Sequence, residues 1–588
     1  MSNPASMVRP WRLALVAGVL ACGAAALGWR ALHLQVMNRD FLQDQGDARH
    51  LRIHAISAHR GMITDRHGEP LAISTPVDSV WVNPRELQAA QDQWPVLART
   101  LGMGAQDLEQ RLRQRADRGF LYLKRHINPD LAARVTALGI PGVFLQREYR
   151  RYYPEGEVAA HVVGITDVDD VGREGMELAW DHTLRGKPGS KWVLRDRFGR
   201  VVEDVAAIED AAPGRDLALS IDRRLQYLAY RELKAAVREH RAESASAVIL
   251  DVRTGEVLAM VNQPSYNPNN RSSIRSGSTR NRAVTDVFEP GSTVKPFTVA
   301  SALEEGLYRP DSTIDTRPGQ YRVGRSMVRD ASNYGVIDLT TIIQKSSNVG
   351  AAKIALAMPA QRLWHTYSAI GFGTPAGTAF PGEVSGVLPH YSRWREVEHA
   401  TLSFGYGLAV TPLQLALAYT VLGDEGRLKP ASFVPTDRPS GVASVLEPRT
   451  AREVLAMMET AVSERGTGSM ARVSGYRVAG KTGTAQMASE HGYDSGDYVS
   501  TFAGVAPASD PRLAMVVVVT RPRGEEYYGG QVAAPVFSRV MSGSLRMLGI
   551  VPDGTYSRQW YADAAPPRAD GLAPASARLV ADDGKGVM

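Results

Sequence analysis

The longest apolar stretch lies near the start of the chain. Residues 13–29 carry no charge, Arg9 and Arg12 precede them, Arg30 interrupts, and Ala31-Leu32-His33-Leu34 follow. Such a run is about the minimum for one membrane span, with Trp11 and Trp29 placed as interfacial anchors. The basic residues ahead of it predict a cytoplasmic N-terminus and an external body. No later segment is long and apolar enough to span again. Residues 36–215 mix turn-rich pieces, such as Asp65-Arg66-His67-Gly68-Glu69-Pro70, with short apolar runs and one predicted helix over 105–117. From 216 to 550 the signals strengthen. Residues 245–252 and 257–262 flank Arg253-Thr254-Gly255-Glu256 and predict a β-hairpin. Residues 297–306, 348–358 and 451–464 predict helices. Residues 476–479, 501–506 and 513–520 are β-branched apolar runs, and Met515-Val516-Val517-Val518-Val519 has the composition of a buried strand. A last helix is predicted over 532–548. This order fits an antiparallel sheet with helices on both faces, its first hairpin far in sequence from its last strands.

These patterns divide the 588 residues into a short cytoplasmic segment (1–12), an anchor (13–34), an elongated mixed module (36–215), an α+β domain (216–550) and a disordered tail rich in Ala, Pro, Asp and Gly (551–588). The 44% hydrophobic and 22% charged content is that of ordinary globular protein. A net charge of +6 is small for this length, and the arginines are scattered, so nothing resembles a nucleic-acid-binding arm. One cysteine, Cys22, rules out an intramolecular disulfide. That does not exclude the periplasm, since a large core needs no staples. A cleaved signal peptide and lipidation at Cys22 are the rivals to an uncleaved anchor.

Chemistry enters with the lysines, only ten of the 68 basic residues. Arg stays protonated near neutral pH and cannot act as a general base, whereas Lys can. Lys295 follows Ser292 by three residues in Ser292-Thr293-Val294-Lys295, so on a helix the two share a face. Pro290-Gly291 turns the chain into that helix, and Pro296 is tolerable only in its first turn. Ser292 is thereby placed at a helix N-terminus, where the N–H dipoles favour a developing oxyanion. A neutral, desolvated Lys295 would supply the base that a serine nucleophile needs. Lys481-Thr482-Gly483-Thr484 follows an expected strand at 476–480, and Gly483 permits close approach of a substrate backbone. Ser346-Ser347-Asn348 lies between the two. Each motif alone is weak, but the three together on a helix, a loop and a strand point to a serine enzyme that acylates itself. The thirteen histidines lack metal-ligand spacing, and no cofactor is expected.

This set resembles the Ser-x-x-Lys, Ser-Asp-Asn and Lys-Thr-Gly motifs of penicillin-binding proteins and class A β-lactamases, with Ser347 at the central Asp. The flanks Phe288-Glu289-Pro290-Gly291, Lys345-Ser346-Ser347-Asn348-Val349-Gly350, Phe380-Pro381-Gly382-Glu383 and Phe404-Gly405-Tyr406-Gly407-Leu408 are similar to class B penicillin-binding proteins. So are Arg60-Gly61-Met62-Ile63-Thr64-Asp65-Arg66-His67-Gly68, with His67 where Asn is usual, and Gly172-Arg173-Glu174-Gly175-Met176-Glu177. Within that class the chain most resembles the division-specific, septal transpeptidase. The resemblance implies a serine β-lactamase-like transpeptidase domain preceded by a pedestal of the dimerisation type. It implies that Ser292 attacks a D-Ala-D-Ala stem peptide, with Lys295 as base. Ser346 and Asn348 would relay protons and hold the substrate amide, and Lys481 would supply positive potential. Thr482, Gly483 and Thr484 would form the carboxylate-binding strand, with the N–H groups of Ser292 and Thr484 as oxyanion hole. β-Lactams would acylate Ser292. Implied partners are a membrane-embedded lipid-II polymerase and other division proteins, at the bacterial inner membrane with the catalytic domain periplasmic. The rivals are a D,D-carboxypeptidase, a β-lactamase or β-lactam sensor, an elongation-specific transpeptidase and a non-enzymatic division scaffold. A scaffold should have lost Ser292, Lys295 or Lys481.

Overall fold

The computed structural model describes residues 10–33, 51–56, 58–195, 201–275, 277–489 and 492–554. The tail expected beyond 551 lies outside the described residues from 555 onward. Helix α1 (Pro10–Leu32) contains the expected anchor; its span Trp11–Leu32 has a mean hydropathy of 1.7 and is not buried in the protein. At 1.5 Å per residue it is about 34 Å long, enough to cross a bilayer core.

The described residues form two compact units. The first comprises those up to Thr64, Pro70–Pro154 and Ile165–Leu217; the second comprises Asp65–Glu69, Glu155–Gly164 and those from Ala218 onward. In the first unit, β1 (Pro70–Val82) pairs antiparallel with both β2 (Leu121–Ile127) and β3 (Val143–Tyr152). This 13-residue strand was not legible in the sequence, because Pro76 breaks its pattern. The structure tolerates Pro76 where it pairs with Tyr149 alone, the β2 ladder beginning only at Asp78. Helices Trp94–Leu101, Ala105–Gln114 and Pro129–Ala137 supply Leu97, Leu108 and Leu131 to a core shared with Val80 and Val82.

A buried charge network also holds this unit. Arg60 donates from Nε to Glu177 Oε2 and from Nη1 to Asp181 Oδ1, both at 2.7 Å. Arg151 Nε donates to Glu177 Oε1 at 2.6 Å. The first and last residues of the two signature segments, Arg60 and Glu177, thus meet with no solvent exposure.

The second unit is built on a five-stranded antiparallel sheet. The hairpin forms as expected, β4 (Ser244–Asp251) with β5 (Val257–Gln263). The strands β6 (Ala479–Ser489), β7 (Gly492–Ala506) and β8 (Leu513–Thr520) complete the order β5-β4-β8-β7-β6. Ala245, Ala247, Ile249, Met515, Val517 and Val519 join a core with helices Arg223–Glu239 and Ala534–Met547. By the two-residue strand period, Val248, Leu250, Val516 and Val518 face the other way, where helix Pro412–Gly423 packs. Burial on both faces explains why these strands read as continuous apolar runs.

Several boundaries moved: the strand expected at 501–506 begins at Gly492, and the helices expected at 297–306 and 451–464 run Lys295–Glu304 and Pro448–Val462. The strand expected at 476–479 begins at Ala479, because Arg477 pairs outside the sheet, its N–H with Asp553 and its carbonyl with Ala508. The last helix breaks at Ala533, between Gly529–Val532 and Ala534–Met547, with Pro535 opening the second piece.

Removing one member of the Arg60–Glu177–Arg151 network leaves buried charge uncompensated, which costs about 3–5 kcal/mol. Glu177→Ala should therefore destabilise the first unit by that amount in urea unfolding of the full chain. Glu109→Gln, which breaks only an exposed i,i+4 pair with Arg113, should change stability by less than about 0.5 kcal/mol. Equal effects would show that the buried network contributes no more than a surface pair.

Candidate active site

The turn that carries Ser292 is shaped from below. Ser292 sits in a 3₁₀ turn, Gly291–Val294, that leads directly into helix Lys295–Glu304, with Pro296 in its first turn as expected. Thr293 Oγ1 donates to the Pro290 carbonyl at 2.7 Å, and the buried Tyr419 hydroxyl donates to the Thr293 carbonyl at 2.8 Å. Gly291 N–H donates to the Gly405 carbonyl. Gly405 has φ +89°, and a Cβ there would lie 2.1 Å from the Gly291 oxygen. Only glycine lets the Phe404–Leu408 segment support this turn.

Strand β6, at the sheet edge, closes on the same turn. A Cβ at Gly483 would lie 2.9 Å from both the Pro290 oxygen and the Thr293 methyl. The neighbour this glycine admits within the protein is thus the Ser292 turn itself. Thr482 and Thr484 share a strand face. Thr484 Oγ1 accepts from Gly529 N–H at 2.9 Å, and Thr482 Oγ1 shares a hydrogen bond with Thr467 Oγ1 at 2.9 Å. With its oxygen loaded from the protein side, the Thr484 hydroxyl keeps its proton to donate.

Ser346, Asn348, Lys295 and Lys481 converge. Lys295 Nζ donates to the Ser346 carbonyl at 2.5 Å, to Asn348 Oδ1 at 2.7 Å and to Ser346 Oγ at 3.2 Å. Lys481 Nζ donates to Ser346 Oγ at 2.9 Å and to the Thr482 carbonyl at 3.2 Å. Ser346 Oγ therefore bridges two lysines. It does so from a left-handed conformation, φ +62°, at the end of helix Leu339–Lys345. A non-glycine residue there costs about 1–3 kcal/mol, and in return its carbonyl and hydroxyl both meet Lys295. Asn348 opens helix Asn348–Leu356, whose N-cap is Ser347.

Both amines are fully buried. Desolvation pushes Lys295 well below its ordinary value; the nearby Lys481 charge lowers it further, and Asp330 opposes. Desolvation alone pushes Lys481 down to about 7. A neutral Lys295 has two N–H donors, which its two shortest contacts use, and one lone pair, able to take a proton.

The sequence motifs did not signal Asp330, Thr467, Gly529 or Tyr419, although each contacts a motif or its backbone. Thr467 lies 15 residues from its partner and Tyr419 126 from its own, and no local pattern links such positions. A cavity of about 670 Å³ lies elsewhere, lined by Leu422, Arg427 and Pro511.

A serine and two desolvated lysines, held on a helix turn, a loop and the edge strand of an antiparallel sheet, define the class: a serine acyl-transfer enzyme of the penicillin-recognising fold. Residues 245–542 match the penicillin binding protein transpeptidase domain, and residues 55–219 match the penicillin-binding protein dimerisation domain. The chain belongs to the penicillin-binding protein transpeptidase family. It is 47% identical over 548 residues to peptidoglycan D,D-transpeptidase FtsI of Escherichia coli K12, covering 92% of this chain and 93% of that one. It is 40% identical over 545 residues to probable peptidoglycan D,D-transpeptidase PenA of Neisseria gonorrhoeae, covering 92% and 93%. Among solved structures, the transpeptidase domain of Burkholderia pseudomallei penicillin-binding protein 3 aligns with TM-score 0.53 and 42% identity, over 57% of this chain and 98% of that one. A Bifidobacterium adolescentis peptidoglycan synthetase aligns with TM-score 0.68 and 25% identity, over 86% and 98%.

The Lys481 shift makes stability depend on pH. Unfolded, this lysine keeps its proton to about 10.5; folded, it releases it near 7. Between those values the unfolded state binds more protons, so this group's contribution to stability rises with pH and is lost as pH falls through 7. Lys481→Met should flatten the rise in urea midpoint between pH 7 and 9 relative to wild type. Identical slopes would show that Lys481 titrates normally in the fold.

Proposed function

We propose that this protein is a peptidoglycan D,D-transpeptidase that cross-links stem peptides of the septal wall through a Ser292 acyl-enzyme, and that β-lactams inhibit it by acylating the same serine. One observation carries this reading: the fully buried Lys295 amine, one helical turn from Ser292 and held by Asn348 and Ser346. Ser292 Oγ attacks the carbonyl of the penultimate D-Ala while its proton passes to Lys295 Nζ. The N–H groups of Ser292 and Thr484 take the oxyanion, and Lys481 with the Thr482 and Thr484 hydroxyls takes the terminal carboxylate. Collapse breaks the D-Ala–D-Ala amide, and the leaving amine gains its proton through Ser346, which touches both lysines. An acceptor amine from a neighbouring stem then attacks the ester, returning the proton to Ser292 and forming the cross-link. Similarity to the Escherichia coli and Neisseria gonorrhoeae transpeptidases over nearly the whole chain supports transfer to an amine. We further propose a single-pass inner-membrane protein, cytoplasmic at its N-terminus and periplasmic in its catalytic domain, paired with a membrane-embedded lipid-II polymerase and other division proteins. Support for this topology comes from Arg9 and Arg12 ahead of the one span-length helix among the described residues.

A labelled penicillin should mark a single peptide, the one containing Ser292, and Ser292→Ala should abolish the label. Lys295→Arg keeps the charge but cannot accept a proton, so it should fold and acylate at least about a hundredfold more slowly. Acylation within a few-fold of wild type would leave Lys295 as a charge-placing group only.

An alkaline phosphatase fusion after residue 550 should be active in cells. Activity of a fusion at residue 8 instead would reverse the topology.

A further inference from the structure

We propose that Asp330, with the carbonyl of Arg329, is a positioning residue that holds Asn348 with its oxygen toward Lys295 and so sets the catalytic amine. This rests on the reading of Lys295 as base to Ser292. The two residues end a small hairpin, strands Gln320–Val323 and Ser326–Arg329, whose sequence carries no motif.

The geometry supplies two clamps. Which atom of an asparagine amide faces a neighbour is decided by its other partners. Asn348 Nδ2 donates to the Arg329 carbonyl at 3.1 Å, a partner that only an N–H satisfies, so Oδ1 is left facing Lys295 Nζ at 2.7 Å. Flipping the amide would set carbonyl against carbonyl on one side and bring N–H donors toward the amine on the other. Asp330 fixes the backbone behind this amide. Its Oδ1 accepts from Asn348 N at 2.5 Å and Val349 N at 2.9 Å, and its Oδ2 accepts the Ser347 hydroxyl proton at 2.6 Å. Ser347 Oγ in turn accepts from Gly350 N at 2.8 Å.

Ser347 gives this clamp its meaning. In the Ser-Asp-Asn form of the motif the middle residue is itself a carboxylate. Here a serine holds that place, and a carboxylate lies one hydrogen bond away, delivered from 17 residues upstream. The same carboxylate acts on the amine electrostatically. Lys481 and Asp330 are the charged groups acting on Lys295, and only Asp330 favours its protonated form.

Full-length protein in detergent, acylated with a fluorescent penicillin over a range of concentration and pH, tests this. Misplacing a catalytic group by an ångström can cost up to about a hundredfold. Asp330→Ala should lower the limiting acylation rate at least about tenfold while changing the penicillin Kd less than about threefold. Asp330→Asn keeps one acceptor oxygen for the two backbone N–H groups. It should acylate within about threefold of wild type at alkaline pH, but the acid limb of its profile should move to lower pH. Wild-type rate and profile in Asp330→Ala would overturn the proposal. If Asp330→Ala fails to fold, the Asp330→Asn profile decides, and an unshifted acid limb overturns it. Wild-type protein that takes no label at Ser292 would overturn the acyl-enzyme reading and this proposal together. Wild-type labelling with unaffected variants would overturn this proposal alone.

Discussion

Two lysine amines are held out of water within reach of one serine hydroxyl, and the catalytic half of this protein is arranged around that fact. A buried charge pays a desolvation cost that no direct carboxylate contact offsets at Lys295, so its neutral form is the one the site favours. What each amine finds is neutral oxygen: a carbonyl and an amide for Lys295, and the Ser346 hydroxyl for both. Asp330 tempers the shift from one layer behind. The balance favours an uncharged amine, one turn from Ser292, at a pH where an exposed lysine would be charged.

Keeping those amines dry requires close packing, and glycine provides it at two places. Gly405 lies under the Ser292 turn, and Gly483 lets the edge strand press against the top of the same turn. The serine turn is thereby gripped between the Phe404–Leu408 segment and β6. The sheet behind is covered on both faces by helices, so β6 is backed by a rigid body. Rigid support of this kind permits catalytic groups to be held ready rather than assembled on binding. The left-handed Ser346 is tolerated on the same terms, strain persisting where the surroundings over-determine it.

In the first unit the same physics serves stability. Arg60, Arg151 and Glu177 are fully or nearly fully buried, yet each is paired. Their placement explains why the Arg60–Gly68 and Gly172–Glu177 segments resemble those of other class B proteins: each segment brings one side of a buried ion pair, and neither side is tolerable without the other.

Much was legible in the chain before any coordinates. Periodicity gave the anchor helix, the β4–β5 hairpin, strand β8 and helices over 297–306, 348–358 and 451–464, found at 295–304, 348–356 and 448–462, because each is a local pattern. The motifs gave Lys295, Ser346, Asn348 and Lys481, whose side chains the fold brings together, and Ser292 one turn before Lys295, because three individually weak motifs occur in one chain. Strand β1 escaped because Pro76 breaks its pattern, and the start of β6 was misplaced because Arg477 pairs outside the sheet. Only the tertiary structure decided that Asp330 reaches Ser347, that Thr467 meets Thr482, and that Gly483 faces the Ser292 turn rather than open space. These contacts join segments without a shared local pattern. A sequence by itself determines local periodicity and the chemistry available; which distant oxygen stands beside which nitrogen is set by how the whole chain packs.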